Sequence, residues 1–172
     1  MEPVRKKSPP FSKVQVARTP LVAHIPRRRS IVLRHLAIDF NGTLAENGKL
    51  LPGMAKCLRK AARTLHIVVT TTDTFGTAAA QLAGLPVEVV VVKTGNDKAR
   101  VVSRLGARHV VAIGNGRNDV AMFEAATLAI AVIGSEGASS QALNAADVVV
   151  CDAGTAMTLL LCPLRLTATL RD

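Results

Sequence analysis

The chain has no tryptophan and no tyrosine, and aromatic residues make up only 2% of its 172 positions. Val, Leu, Ile and Ala must therefore build any core, and the aromatics best suited to stacking nucleobases are missing. Phe40, Phe75 and Phe123 read as local core beside candidate loops. Cysteine is scarce as well: Cys57, Cys151 and Cys162 are odd in number, far apart and in no CxxC pattern. They indicate neither a disulfide framework nor a zinc site, and a reducing cytoplasm is the expected setting. No segment reaches about 18 uninterrupted apolar residues. Pro9, Pro10, Pro20 and Pro26 break up the N-terminal thirty, so the reading is no membrane span and no signal sequence.

What the chain does have is 49% hydrophobic residues, enough for one domain with a real core, and a net charge of +10. That charge is unevenly spread. Residues 1–36 hold nine Lys/Arg against Glu2 alone, leaving 13 basic and 11 acidic residues for the rest. The division expected is a flexible basic extension over 1–20 and a catalytic domain over 21–172, nearly neutral beyond residue 36. Weak nucleic-acid binding by the basic segment ranks last among the functional readings, with a solvated tail preferred.

Along the domain, strand and helix signals alternate. Leu21–Ile25 and Ile31–Leu36 flank Pro26-Arg27-Arg28-Arg29-Ser30 as an expected hairpin. Strands are predicted over 36–40, 67–71, 87–92, 110–114, 128–133 and 148–151. Helices are predicted over 53–64, 76–83, 97–105 (capped by Asn96), 118–126 (Asn118 as a candidate cap), 139–145 and 155–161. Glu46-Asn47-Gly48 marks a tight turn. Continuous Val/Ile runs, unlike alternating ones, mean strands covered on both faces, hence a parallel sheet with helices on both sides. His24, His35, His66 and His109 fall near strand starts and read as structural.

Three of these runs end in polar loops. Leu36–Leu44 (LAIDFNGTL) puts Asp39 at the end of a buried strand, where a carboxylate is costly without a partner. His66–Asp73 (HIVVTTTD) ends in threonines, and His109–Asp119 (HVVAIGNGRND) in a Gly/Asn/Asp loop. In a parallel sheet such ends converge on one crevice. An Asp, a hydroxyl, a Lys and a second acidic loop are the parts needed for phosphoryl transfer through an aspartyl phosphate. Singly, each has a plainer role: Lys98 as a surface lysine, Asp39 as a turn cap, Thr71 and Asp73 as helix caps.

In order and spacing, DFNGTL, TTD at 71–73, Lys98 opening a helix and GNGRND at 114–119 together resemble the motifs of the haloacid dehalogenase-like superfamily of phosphotransfer hydrolases. The resemblance is closest to its soluble P-type-ATPase-like group, whose loops read DKTGT, TGD and GDGxND. It implies a three-layer Rossmann-like fold with a mostly parallel sheet and, given the short stretch from Leu44 to Thr71, no sizeable cap. It implies Asp39 as nucleophile, with Mg²⁺ held by Asp39, the Asn41 backbone carbonyl, Asn115 and Asp119. The phosphoryl group would rest on Thr71, with Thr72 as neighbour, on backbone N–H groups near Asn41 and Gly42, and on Lys98, with Lys93 the lesser candidate. Two departures stand out. Asn41 occupies the place of the usual acid/base Asp, and Asn115 that of a metal-binding Asp.

The expected function is thus slow, Mg²⁺-dependent phosphoryl transfer or hydrolysis on a phosphate ester or acyl phosphate, small or carried by a macromolecule. The rival is a decayed module that binds Mg²⁺ or a phosphorylated partner. A cap-less site left open to solvent would be covered in a homo-oligomer, with the 21–36 hairpin as a candidate interface.

Overall fold

The computed structural model describes residues 19–27, 30–73 and 76–171. The expected extension lies outside these residues up to position 18, as do Arg28, Arg29 and Phe75. The described chain enters through an antiparallel hairpin, β1 (Leu21–Ala23) and β2 (Ile31–Leu33), as expected, with Arg27 at its turn. One residue later begins β3 (His35–Asp39), whose last four residues are all buried. It lies at the centre of a six-stranded sheet, between β6 (His66–Thr71) and β8 (Val110–Gly114). β7 (Glu88–Val91) flanks β6, while β9 (Leu128–Val132) and β10 (Val148–Val150) extend the sheet beyond β8. Every pairing in the sheet is parallel.

The strand order, β10-β9-β8-β3-β6-β7, matters for function. Successive crossovers first run outward from β3 through β6 and β7, then return to start again on its other side at β8. The carboxyl ends of β3 and β8 therefore splay apart under connections that leave in opposite directions, which opens a crevice there. Asp39 ends one of these strands and the 114–119 loop follows the other.

Strand alternation decides which way the key carboxylate points. Leu36, Ile38 and Phe40 belong to a core shared with α1 (Met54–Ala61) and α6 (Ala153–Leu161), through Leu58, Ala156 and Met157. Ala37 points the other way, into a core with Ala112, Ala129 and Ala131, covered by Val102 of α3 (Gly95–Leu105) and by Met122 and Phe123 of α4 (Val120–Ala125). Asp39, two residues after Ala37, shares its face and so meets α3.

The connection from β3 to β6 holds only α1 and a small hairpin, β4 (Ala45–Glu46) and β5 (Lys49–Leu50), built around the Glu46-Asn47-Gly48 turn. The pairing at that turn was not anticipated, because two-residue strands carry no periodicity. α2 (Ala78–Gln81) anchors it: the Leu50 N–H donates to Gln81 Oε1 and the Thr77 hydroxyl to the Gly48 carbonyl.

Several element ends differ from expectation for reasons of capping. α3 starts at Gly95 with Thr94 as cap instead of Asn96, because Thr94 is extended and exchanges hydrogen bonds with Asp97 in a capping box. Residues 117–119 form a 3-10 turn before α4, where Asn118 was the candidate cap. Asp119 tightens that turn by accepting the N–H groups of Asn115 and Gly116. α5 (Ser140–Ala145) is capped by Ser139, and α6 starts two residues early under Asp152. A final helix, α7 (Pro163–Leu170), was not predicted. Pro163 opens it and the buried Leu166 joins the core beside β1. Replacing Thr94 with Ala is expected to lower stability by about 1 kcal/mol in urea titrations, through loss of the α3 cap.

Candidate active site

Lys98 is the fourth residue of α3, and its whole side chain is buried. The apolar stem crosses between helix and sheet, and the ammonium ends between two carboxylates. Nζ donates to Asp39 Oδ1 at 2.5 Å and to Asp119 Oδ1 at 2.6 Å. Asp119 is itself fully buried, and its second oxygen accepts the backbone N–H groups of Asn115 and Gly116 at 3.0 and 2.9 Å. The plain surface-lysine role is thereby ruled out for Lys98.

Two carboxylates and one ammonium leave an excess of one negative charge. The excess falls on Asp39: burial pushes its carboxyl up from 3.8 to about 7, the charge of Asp119 adds to the rise, and Lys98 opposes it. Burial also works against the charged form of Lys98, but Asp39 and Asp119 more than offset this and hold its pKa above the ordinary value. Asp119, with its hydrogen bonds on both oxygens, is the settled partner of Lys98. Asp39 is the group whose charge lacks full compensation.

The first and fourth loops touch directly. Gly42 has φ +75°, and a Cβ there would fall 2.4 Å from the Asn115 side-chain nitrogen. Gly114 has the same relation to Asp119, with a hypothetical Cβ 2.4 Å from its Cγ. Both positions demand glycine because a functional side chain fills the space. Asn115 donates Nδ2 to the Gly137 carbonyl at 2.9 Å and accepts from the Thr43 hydroxyl at 3.4 Å. Its amide thus ties loops together, in addition to any role as a ligand. Asn41 differs: its Oδ1 is buried and has no hydrogen-bond partner.

The threonine loop is next to this centre. Thr70, opposite Asp39 in the strand register, turns its hydroxyl to Met122 Sδ at 3.7 Å. Thr71 is buried and its hydroxyl accepts from the Asp73 N–H at 2.9 Å, while Thr72 is exposed. Asp73 accepts the Ala78 N–H at the start of α2, its plainer role as a helix cap. Lys93 is exposed, and its backbone N–H bonds to Asp97. Of the expected residues, the structure gathers Asp39, Lys98 and Asp119 in one ionic cluster. Asn115 joins it through its backbone N–H, and Gly42 lies against the Asn115 side chain. Sequence reasoning passed over Thr43 and Gly137. Thr43 stands within the DFNGT pattern and could have been weighed, whereas Gly137 lies 22 residues from its partner Asn115 with no local signal.

The donor set suits a hard divalent cation. Asp39, Asp119, Asn41 and Asn115 offer oxygen, with neither imidazole nor thiol among them. The uncompensated charge on Asp39 and the unpartnered Asn41 oxygen both call for a positive or proton-donating neighbour, such as a hydrated ion. Among the described residues there is no cluster of three or more His, Cys, Asp or Glu side chains. Two carboxylates completed by water and substrate phosphate match magnesium practice.

A family model described as haloacid dehalogenase-like hydrolase matches residues 82–154, the stretch that carries Lys98 and Asp119. An uncharacterized protein of Methanocaldococcus jannaschii is 48% identical over 65 residues, which cover 38% of this chain and 70% of that one. The chain belongs to the haloacid dehalogenase-like hydrolases.

Solved structures with this HAD-like fold include the 3-deoxy-D-manno-octulosonate 8-phosphate phosphatase of Moraxella catarrhalis, in complex with magnesium, phosphate and KDO. It is 12% identical, with a TM-score of 0.65 over 79% of this chain and 90% of that one. A zinc-transporting PIB-type ATPase in the E2P state is 24% identical, with a TM-score of 0.58 over 69% of this chain and 20% of the pump. These likenesses bear on the fold. Among the described residues no single helix is long and apolar enough to cross a membrane.

The charge imbalance has a measurable consequence. The folded HAD-like domain holds the Asp39 proton up to about pH 7, whereas the unfolded chain releases it near 3.8. Ionising Asp39 therefore costs stability, from about pH 4 upward and fully above 7. In metal-free buffer Asp39→Asn is expected to be about 1–3 kcal/mol more stable than the parent at pH 8, with the difference vanishing near pH 4. Thermal melts across this range check it. Lys98→Met should instead cost about 3–5 kcal/mol at pH 8, since it strands two buried carboxylates.

Proposed function

We propose that the protein is a Mg²⁺-dependent phosphatase or phosphotransferase that works through an aspartyl phosphate on Asp39. The observation that carries this reading is the shared ion pair, in which one buried ammonium serves two carboxylates at the mouth of the sheet. A purely structural pair would be balanced. This one leaves Asp39 under-compensated and poised to ionise near neutral pH.

Asp39 attacks phosphorus in line, so hydrolysis is split into two easier displacements. Lys98 holds Asp39 in place and sets positive charge beside the transferring group. The Thr71 hydroxyl, now turned to its own loop, and the backbone N–H of Asn41 receive the phosphoryl oxygens, while the Gly42 N–H is spent on the Ala45 carbonyl at 2.8 Å. Asp39, the Asn41 carbonyl and Asn115 would hold Mg²⁺, with Asp119, whose oxygens are spent on Lys98, Asn115 and Gly116, adding negative charge beside it. When bound, the ion offsets the repulsion between carboxylate and phosphate dianion and shields charge in the transition state. The neutral Asn115 makes this a low-affinity site. The Moraxella phosphatase is in complex with magnesium, phosphate and KDO, which supports the pairing of magnesium with phosphate here.

A second reading has its own observation. Asn115, where the resemblance implies a ligand, spends its amide on Gly137 and Thr43. That arrangement favours a module that binds phosphate-bearing partners without turnover.

Incubation with p-nitrophenyl phosphate separates the two. Release that needs millimolar Mg²⁺, stops with EDTA and falls by at least about 10³ in Asp39→Ala supports the enzyme. Mapping radiolabel from phosphorylated protein to the peptide containing residue 39 locates the intermediate. Absence of both release and label supports the binding module.

A further inference from the structure

Among the described residues, the polar side chains that the site gathers around Asp39 include no acid free to protonate a departing alkoxide. Lys98 is committed to both carboxylates at 2.5 and 2.6 Å. Asp119 is the buried counter-charge, bonded through both oxygens. Thr71 and Thr43 are neutral hydroxyls already engaged with Asp73 and Asn115. Asn41, two residues beyond the nucleophile, is an amide. It can donate or accept a hydrogen bond but keeps its protons. Its Oδ1 is buried without a partner, so it is an acceptor awaiting a donor.

Building on the proposed aspartyl-phosphate chemistry, we infer that the site takes phosphoryl donors whose leaving group departs as a stable anion, namely acyl phosphates and phosphoanhydrides, and discriminates against alkyl phosphate monoesters. In the first step an Asp39 oxygen forms a bond to phosphorus. The bond from phosphorus to the leaving oxygen breaks, and its electron pair leaves with a carboxylate or phosphate that needs no proton. Expelling an alkoxide by the same route would release a strong base into a buried site, where a positioned acid is worth about 10²–10⁴ in rate.

In the second step water adds to phosphorus and the bond to Asp39 breaks, regenerating the carboxylate. Both protons of the water remain on the product, dihydrogen phosphate. The unpartnered Asn41 oxygen is suited to accept a hydrogen bond from that water and so orient it. Orientation without deprotonation makes this step slow, and the phosphoenzyme accumulates.

Single-turnover release of the leaving group from acetyl phosphate, a series of aryl phosphates of graded phenol acidity, and glycerol phosphate tests the inference, with Mg²⁺ saturating. The wild-type protein should release acetate at least about 10³ times faster than glycerol, with a steep fall across the aryl series. Asn41→Asp should narrow the acetate-to-glycerol ratio by at least about tenfold, with melting curves to confirm that the variant folds. The wild-type series stands alone if it does not. A flat dependence on leaving-group acidity, or an unchanged ratio in a folded Asn41→Asp protein, overturns the leaving-group assignment while the aspartyl-phosphate reading survives. No release from any donor and no label on Asp39 overturns both.

Discussion

A lysine ammonium held between two carboxylates, out of reach of water, is the interaction around which the rest is arranged. It needs a helix that starts close enough to the sheet for the fourth residue to reach across, which the Thr94–Asp97 capping box secures. It needs β3 to end with its last side chain on the α3 face, which the alternation from Ala37 to Asp39 supplies. It also needs the β8 loop to fold back tightly enough for Asp119 to reach the same ammonium, and the absence of a side chain at Gly114 allows this. A desolvated charge tolerates no looser arrangement, because each ion left unpaired there costs several kcal/mol.

The imbalance of that cluster connects folding to chemistry. Lys98 with Asp119 alone would be a neutral pair, stabilising or indifferent. Adding Asp39 gives a carboxylate whose ionisation the fold resists until about pH 7. A protein selected for stability alone would do better with an amide there. Retaining the acid is the familiar trade in which a functional group is held in an environment that raises its energy. The same excess charge is what would draw in a cation, so the proposed metal binding and the proposed nucleophile would share one electrostatic cause.

The two asparagines modify the site in different ways. Asn115 has been drawn into scaffolding: with Gly42 against it and Gly137 and Thr43 bonded to it, it locks the first and fourth loops together. Asn41 remains unengaged at its oxygen. One crevice thus holds a structural amide and an idle one, and under the proposed mechanism the first would add rigidity while the second would supply no proton. Between β3 and β6 the small β4–β5 hairpin accompanies α1, so nothing sizeable in that connection closes over the crevice.

Much was legible from residues alone. Uninterrupted Val/Ile runs determined a parallel sheet covered on both sides, since a strand without polar alternation has no face to offer water. Polar residues at the run ends marked the loops that surround the buried ionic cluster, and the β8 limits, Val110–Gly114, were recovered to the residue. The sequence could not show α7, whose place comes from Leu166 packing beside β1, nor the hairpin made of two-residue strands. Lys98 is the sharpest case: on a helix rich in polar residues nothing local separates a buried lysine from a solvated one. Only the strand order, which sets β3 beside β8 and lays α3 across them, brings positions 39, 98 and 119 within hydrogen-bond reach. Local pattern determines which elements form because it acts through near neighbours. Charge compensation between residues 59 and 21 positions apart exists only once those elements pack.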